Sequence, residues 1–311
     1  MNREGKSLGH GPGDSLVGDL GPALGRELGI ERKLARILLD LGNRPLVVIG
    51  PPGSGKTTIV TALGLMRLRL VGSSMIYVTH KLSDAIGAVT SIPTPWNCVR
   101  DNLFLILDSY EELSARPGIT LLVSMAYRFK AYNNYVRYLR YLARNPRNTH
   151  ALWLLGRMSL LRGIVTDENN VSERDEVATV IVSRDVRGVY MVMTLILNSM
   201  CRQDVNDLLI LDDVSILPMR EEALLRVTRI VRGVTNVWIV MHSIGGLSIE
   251  ELNIPTIITS HSGPAKSLSR LRDILNQVRP GEALYMGVND QLKVKIRDVV
   301  ELRKRLLNEK Q

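Results

Sequence analysis

The stretch "RPLVVIGPPGSGKTTIV", residues 44–60, decides how the rest of the chain is read. "LVVI" is a short apolar run between Pro45 and Gly50, the pattern of a strand buried on both faces of a parallel sheet. Gly50, Pro51, Pro52, Gly53, Ser54, Gly55, Lys56 and Thr57 then fit the spacing GxxxxGK[ST] in full, with Thr58 continuing into a helix. The glycines let the backbone curl until successive N–H groups face one point. The helix opening near Lys56 adds its positive end. Lys56 supplies a point charge for β- and γ-phosphates, and the Thr57 hydroxyl can ligate Mg²⁺. A glycine-rich turn without a ligand is the bland alternative, and the strand-then-helix context argues against it.

Outward from this loop, "GIERKLARILLD" (29–40) has helical apolar spacing, residues 56–71 continue as a helix, and "SMIYVT" (74–79) reads as a second strand. Residues 96–176 break the rhythm, being rich in arginine and aromatics and mostly helical in pattern. The alternation then resumes. "VATVIVS", "DLLILDDVS", "NVWIVMHS" and "IPTIITSHS" read as strands, and "GVYMVMTLILNSMC", "EEALLRVTRIVRG" and "SLSRLRDILNQV" as helices. "EALYMGV" and "QLKVKI" form a hairpin about a tight "ND" turn, and a charged amphipathic helix ends the chain. The pattern predicts an α/β fold with a doubly wound, mainly parallel sheet, a helical insertion and a C-terminal hairpin. The expected divisions are a flexible segment 1–28, a core of 29–95 and 177–297, an insertion 96–176 and a terminal helix 298–311.

A second acidic site should stand at the end of another buried strand. "DLLILDDVS" supplies Asp212 for the Mg²⁺ side and Asp213 as the carboxylate that orients or polarises an attacking water. Helix capping is the alternative for Asp213. ATP hydrolysis is the chemistry these elements predict, and ATP is favoured over GTP because no guanine-reading NKxD segment occurs.

The composition is that of an ordinary folded chain: 311 residues, 45% apolar and 23% charged, with net charge +9. The basic excess suits nucleic acid or an acidic surface. Cys98 and Cys201 have neither metal-ligand spacing nor the look of a disulfide framework, so a reduced, cytoplasmic setting is the simplest inference. "MNREGKSLGHGPGDS" has no signal-like apolar region, and "GVYMVMTLILNSMC" is too short for a bilayer, so no membrane span is predicted.

The order of elements resembles the FtsK–HerA superfamily of DNA-pumping ATPases, with their RecA/AAA-like core. The resemblance lies in the phosphate loop and in "VATVIVSRDVRGVYMVMTLILNSMC" leading into "LLILDD". It continues through "RIVRGVTNVWIVMHS", "LNIPTIITSHSGPAKSLSRLRDIL" and "RPGEALYMGV", and covers residues 44–90 and 177–297. It implies a ring, typically of six subunits, with ATP and Mg²⁺ at subunit boundaries and DNA as the polymer. It also implies a polar sensor at His242 and a finger arginine at Arg232 or Arg229, for which a solvated basic helix face is the alternative. The chain departs from the pattern by carrying Asp213 where glutamate is usual and His242 where glutamine is usual. The Asp-Asp pair is closer to the AAA+ helicase loaders related to DnaC and DnaA, a switch-ATPase alternative, but no GxR sensor helix in a C-terminal lid is evident. A small-molecule kinase is a weaker third class.

In "YRFKAYNNYVRYLRYLARNPR" (127–147), Arg137, Arg140, Arg144 and Arg147 fall at i, i+3, i+7 and i+10, a single basic helical stripe. Tyr135, Tyr138 and Tyr141 occupy neighbouring faces. Such a helix can track a phosphate backbone and stack on bases, meet an acidic partner protein, or simply expose arginines over a tyrosine–leucine core. His80 and Lys81 are expected near the nucleotide end of the sheet, His261 and Ser262 at a strand end, and Trp96 and Trp153 as packing anchors.

Overall fold

The apolar run before the phosphate loop becomes a central strand. The computed structural model describes residues 29–167, 176–202, 207–220, 223, 236–242, 254–259, 278–287 and 289–308. Helix α1 (Gly29–Leu41) leads into β1 (Leu46–Ile49), α2 (Lys56–Val71), β2 (Met75–Thr79) and the short β3 (Ala88–Val89). The insertion runs from β4 (Thr94–Pro95) through α3 (Trp96–Asp101), α4 (Leu103–Asp108), α5 (Pro117–Ser124), α6 (Tyr132–Leu142) and α7 (Thr149–Leu160) to β5 (Val165–Thr166). β4 and β5 pair in parallel and close it at its base. The core resumes with β6 (Val177–Ile181), α8 (Val186–Arg202), β7 (Leu208–Leu211), β8 (Asn236–Met241), β9 (Thr256–Thr259), β10 (Glu282–Met286), β11 (Gln291–Lys295) and α9 (Ile296–Asn308).

Among the described residues, nine strands form one sheet in the order β11-β10-β9-β1-β8-β7-β2-β6-β3. Every neighbouring pair from β9 to β3 is parallel, and β10 runs antiparallel to both β9 and β11. The expected mainly parallel sheet, helical insertion and C-terminal hairpin are therefore present.

Strand alternation divides the core into two layers. Leu46, Val48, Tyr77, Leu208, Ile210, Trp238 and Val240 face α1, α2 and α9. Val47, Ile49, Ile76, Val78, Leu209, Leu211 and Ile239 face α8 and the insertion. Because both faces are covered, the strands read as continuous apolar runs. Among the described residues no helix is long and apolar enough to cross a membrane.

Within the insertion, Trp96 is buried, donates its ring N–H to the Phe129 carbonyl at 2.9 Å, and stacks on Tyr135 at 5.7 Å. Trp153 is half-buried beneath the guanidinium groups of Arg116 and Arg157. Both tryptophans pack, as expected. The basic stripe does not extend along one helix. α6 stops at Leu142, so Arg137 and Arg140 stand on it while Arg144 and Arg147 lie in the turn that follows. Pro146 explains the stop, because its ring disfavours helical backbone at the residue before it. Tyr135 is fully buried and Tyr138 packs on Phe129 at 5.1 Å, which leaves Tyr141 as the exposed ring of the three.

The cysteine expectation is also corrected. Cys98 on α3 and Cys201 on α8 form a disulfide with their Cα atoms 6.0 Å apart. At a sequence separation of 103, spacing carries no sign of the pairing; the packing of α3 against α8 creates it.

Candidate functional site

The phosphate loop connects the C-terminal end of β1 to α2, where parallel α/β sheets place their ligands. A side chain at Gly50 would collide with Thr259 and come within 2.8 Å of Ser54 Oγ. Gly55 has φ 87°, a left-handed conformation that favours glycine, and a Cβ there would lie 2.6 Å from Ile296. Thr259 Oγ1 and Ser54 Oγ lie 2.6 Å apart, tying the loop to β9. Lys56 is buried and donates to the Pro51 carbonyl at 2.6 Å, so its ammonium already sits within the loop. Burial lowers its pKa, and the Asp213 and Asp212 carboxylates oppose that shift.

Asp212 faces this loop because alternation along β7 continues past its end. Leu208 and Ile210 face α2, and Asp212 is next in that series. Its Oδ2 accepts hydrogen bonds from Thr57 Oγ1 at 2.9 Å and the Tyr77 hydroxyl at 2.6 Å. Burial raises the Asp212 pKa, while those two donors oppose the rise. Its other oxygen, Oδ1, is buried without a hydrogen-bond partner. A buried, unsatisfied carboxylate oxygen is costly, and a hydrated cation is one group that would satisfy it. With the Thr57 hydroxyl alongside, the donor set is all oxygen and fits Mg²⁺.

Asp213 is the one non-glycine residue with positive φ among the described residues, at 57°. This turn takes it out of the strand alternation and brings Oδ1 to 2.8 Å from His242 Nε2. His242 directly follows β8, which lies beside β7, so the two residues meet at adjacent strand ends. Ser215 braces the pair: its hydroxyl donates to Asp213 at 3.2 Å and accepts the His242 backbone N–H at 3.1 Å.

A cavity of about 320 Å³ gathers Lys56, Thr57, Asp212, Asp213 and His242, with His80 and Lys81 at its side. Arg184, in the loop after β6, also lines it and was not singled out by the sequence. Tyr77 and Ser215 were missed as well. Tyr77 shares the inward parity of Leu208 and Ile210, but only the register Tyr77↔Ile210 places it beneath Asp212. Arg229, Arg232, His261 and Ser262 lie outside the described residues.

Comparison with solved structures places VirB4 of Thermoanaerobacter pseudethanolicus beside this chain, with TM-score 0.57 and 13% identity over 81% of this chain and 88% of that one. This is a P-loop NTPase fold. The bacterial conjugative coupling protein TrwB, in its ΔN70 form with sulphate, aligns over 85% of this chain and 81% of its own at 12% identity, with TM-score 0.45. At 13% identity the likeness to VirB4 is one of fold. No protein-family model and no curated protein matches the sequence.

Proposed function

We propose that the chain is a Mg²⁺-dependent ATPase that works as a ring-forming, DNA-translocating motor of the FtsK–HerA kind. The observation that carries the ATPase reading is the meeting of Thr57 with Asp212, and of Asp213 with His242, around one cavity beside the phosphate loop. The loop from Gly50 to Thr58 cradles the phosphates, and Lys56 exchanges the Pro51 carbonyl for β- and γ-phosphate oxygens. Thr57 and Asp212 would hold Mg²⁺, which would supply neutralising charge to the phosphates. Asp213 orients the attacking water and accepts its proton. His242 fixes the Asp213 carboxylate through Nε2 and stands at the sensor position that the resemblance implies. The arginine reaching across a subunit boundary is assigned to Arg232, with Arg229 as the other candidate.

The DNA part of the reading is supported by charge on the insertion. From residue 113 to residue 166 there are nine lysines and arginines and no acidic residue. Arg128, Lys130, Arg137, Arg140, Arg144 and Arg147 are all exposed there, alongside the exposed rings of Tyr127 and Tyr141. Arginines of this kind neutralise phosphates, and exposed tyrosines stack on bases.

The test is ATP turnover with and without DNA at moderate salt, together with the oligomeric state in ATP. Turnover stimulated by DNA in a closed ring supports the motor. ATP-dependent capture of a protein by one or two subunits, with no response to DNA, would favour a loader-type switch instead.

A further inference from the structure

Tyr77 belongs to this site although no phosphate-loop motif calls for it. We propose that it is a positioning residue for the divalent cation, acting through Asp212.

Tyr77 lies in the middle of β2, fully buried, on the layer that packs against α2. A phenylalanine would fill that space equally well, so packing alone does not account for the hydroxyl. A phenol buried in an apolar layer needs a hydrogen-bond partner, and Tyr77 finds it in Asp212 Oδ2 at 2.6 Å.

The consequence falls on Asp212. Two donors, Tyr77 and Thr57, converge on one carboxylate oxygen and leave the other buried and unpartnered. A carboxylate held in this way cannot rotate to exchange its oxygens without breaking both bonds. Its vacant Oδ1 is thereby reserved for a cation or a cation's water. The two donors are not equivalent, because the Thr57 oxygen is itself a cation ligand in the proposed site. Tyr77 has no second task, and it keeps Asp212 fixed when the Thr57 hydroxyl turns to serve the metal. Partners of this kind, behind a metal's direct ligands, change metal affinity by about 10- to 100-fold when removed.

The inference rests on the Mg²⁺–ATP reading of the site, and the experiment separates the two. Binding of a fluorescent ATP analogue is measured for the full chain and for Tyr77→Phe across a Mg²⁺ titration and in EDTA. Thermal unfolding in EDTA is followed in parallel. The expected result is a half-saturating Mg²⁺ concentration raised about 10-fold in Tyr77→Phe, with metal-free nucleotide affinity unchanged. In the Asp212→Asn background, Tyr77→Phe should cause no further shift, because it acts through that carboxylate. A Tyr77→Phe protein with the unaltered Mg²⁺ requirement overturns the proposal while leaving the ATP site intact. So does an equal loss of affinity with and without metal, which is what a purely structural tyrosine would give. Absence of Mg²⁺-dependent binding in the unaltered chain would remove both readings.

Discussion

His242 Nε2 lies 2.8 Å from Asp213 Oδ1, joining the residue after β8 to the second carboxylate after β7. The pair joins the two positions, Asp213 and His242, at which the sequence departs from the pattern it resembles. Aspartate is one methylene shorter than glutamate, and the left-handed backbone at Asp213 and the imidazole opposite it together fix where that shorter carboxylate sits. Asp213→Asn should bind Mg²⁺–ATP normally and lower kcat by about 10²- to 10⁴-fold, the range for loss of a general base. His242→Ala should lower kcat by about 10²-fold with little change in nucleotide affinity. Single-turnover hydrolysis alongside equilibrium nucleotide binding checks both.

Lys56 stands at the other side of the cavity with its ammonium on the Pro51 carbonyl. Lys56→Ala should abolish ATP binding and turnover without unfolding the protein, because the loop keeps the Ser54–Pro51 and Ser54–Thr259 contacts. Calorimetric titration with ATP and a thermal melt distinguish this outcome from collapse of the loop.

Asp185 caps α8, accepting from the Gly188 N–H at 3.1 Å and the Ser183 hydroxyl at 2.6 Å. Those hydrogen bonds hold its carboxyl below the ordinary value, with Ser183 the larger cause. The sign follows from linkage: a depressed native pKa adds stability above the unfolded-state pKa and loses it as pH falls through the native one. Asp185→Ala should therefore cost about 1 kcal/mol at neutral pH, with the difference fading below about pH 4. Urea unfolding at several pH values measures it.

The Cys98–Cys201 disulfide closes a loop that contains the insertion from Cys98 onward. Constraining so long a loop in the unfolded state is worth about 2–4 kcal/mol. Reduction should lower Tm by on the order of 5–10 °C. Cys98→Ser should melt at the reduced temperature and ignore added reductant. A melt that is the same with and without reductant would show that the pair does not constrain the chain.

On the insertion, Arg137→Glu with Arg140→Glu should weaken DNA binding and flatten its salt dependence by about 0.9 in log–log slope per lost phosphate contact. Fluorescence anisotropy across a salt series gives both quantities. An unchanged slope would place the DNA path elsewhere.

The sequence by itself determined the local elements around the site. The run before Gly50, the glycine spacing and the lysine–threonine pair specify strand, loop and helix through backbone chemistry that acts within about fifteen residues. The buried strands ending in Asp212 and His242 were legible for the same reason, since strands covered on both faces must be apolar throughout. What lay beyond sequence was every relation set by register or packing. Tyr77 reaches Asp212 only because β2 and β7 pair with Tyr77 opposite Ile210. Asp213 reaches His242 only because one residue turns left-handed beyond a strand end. Cys98 finds Cys201 through helix packing, and Pro146 divides the arginine stripe between a helix and a turn. Short-range covalent geometry wrote the phosphate loop into the sequence, whereas contacts across 135 residues, such as Tyr77 to Asp212, exist only once the sheet has formed.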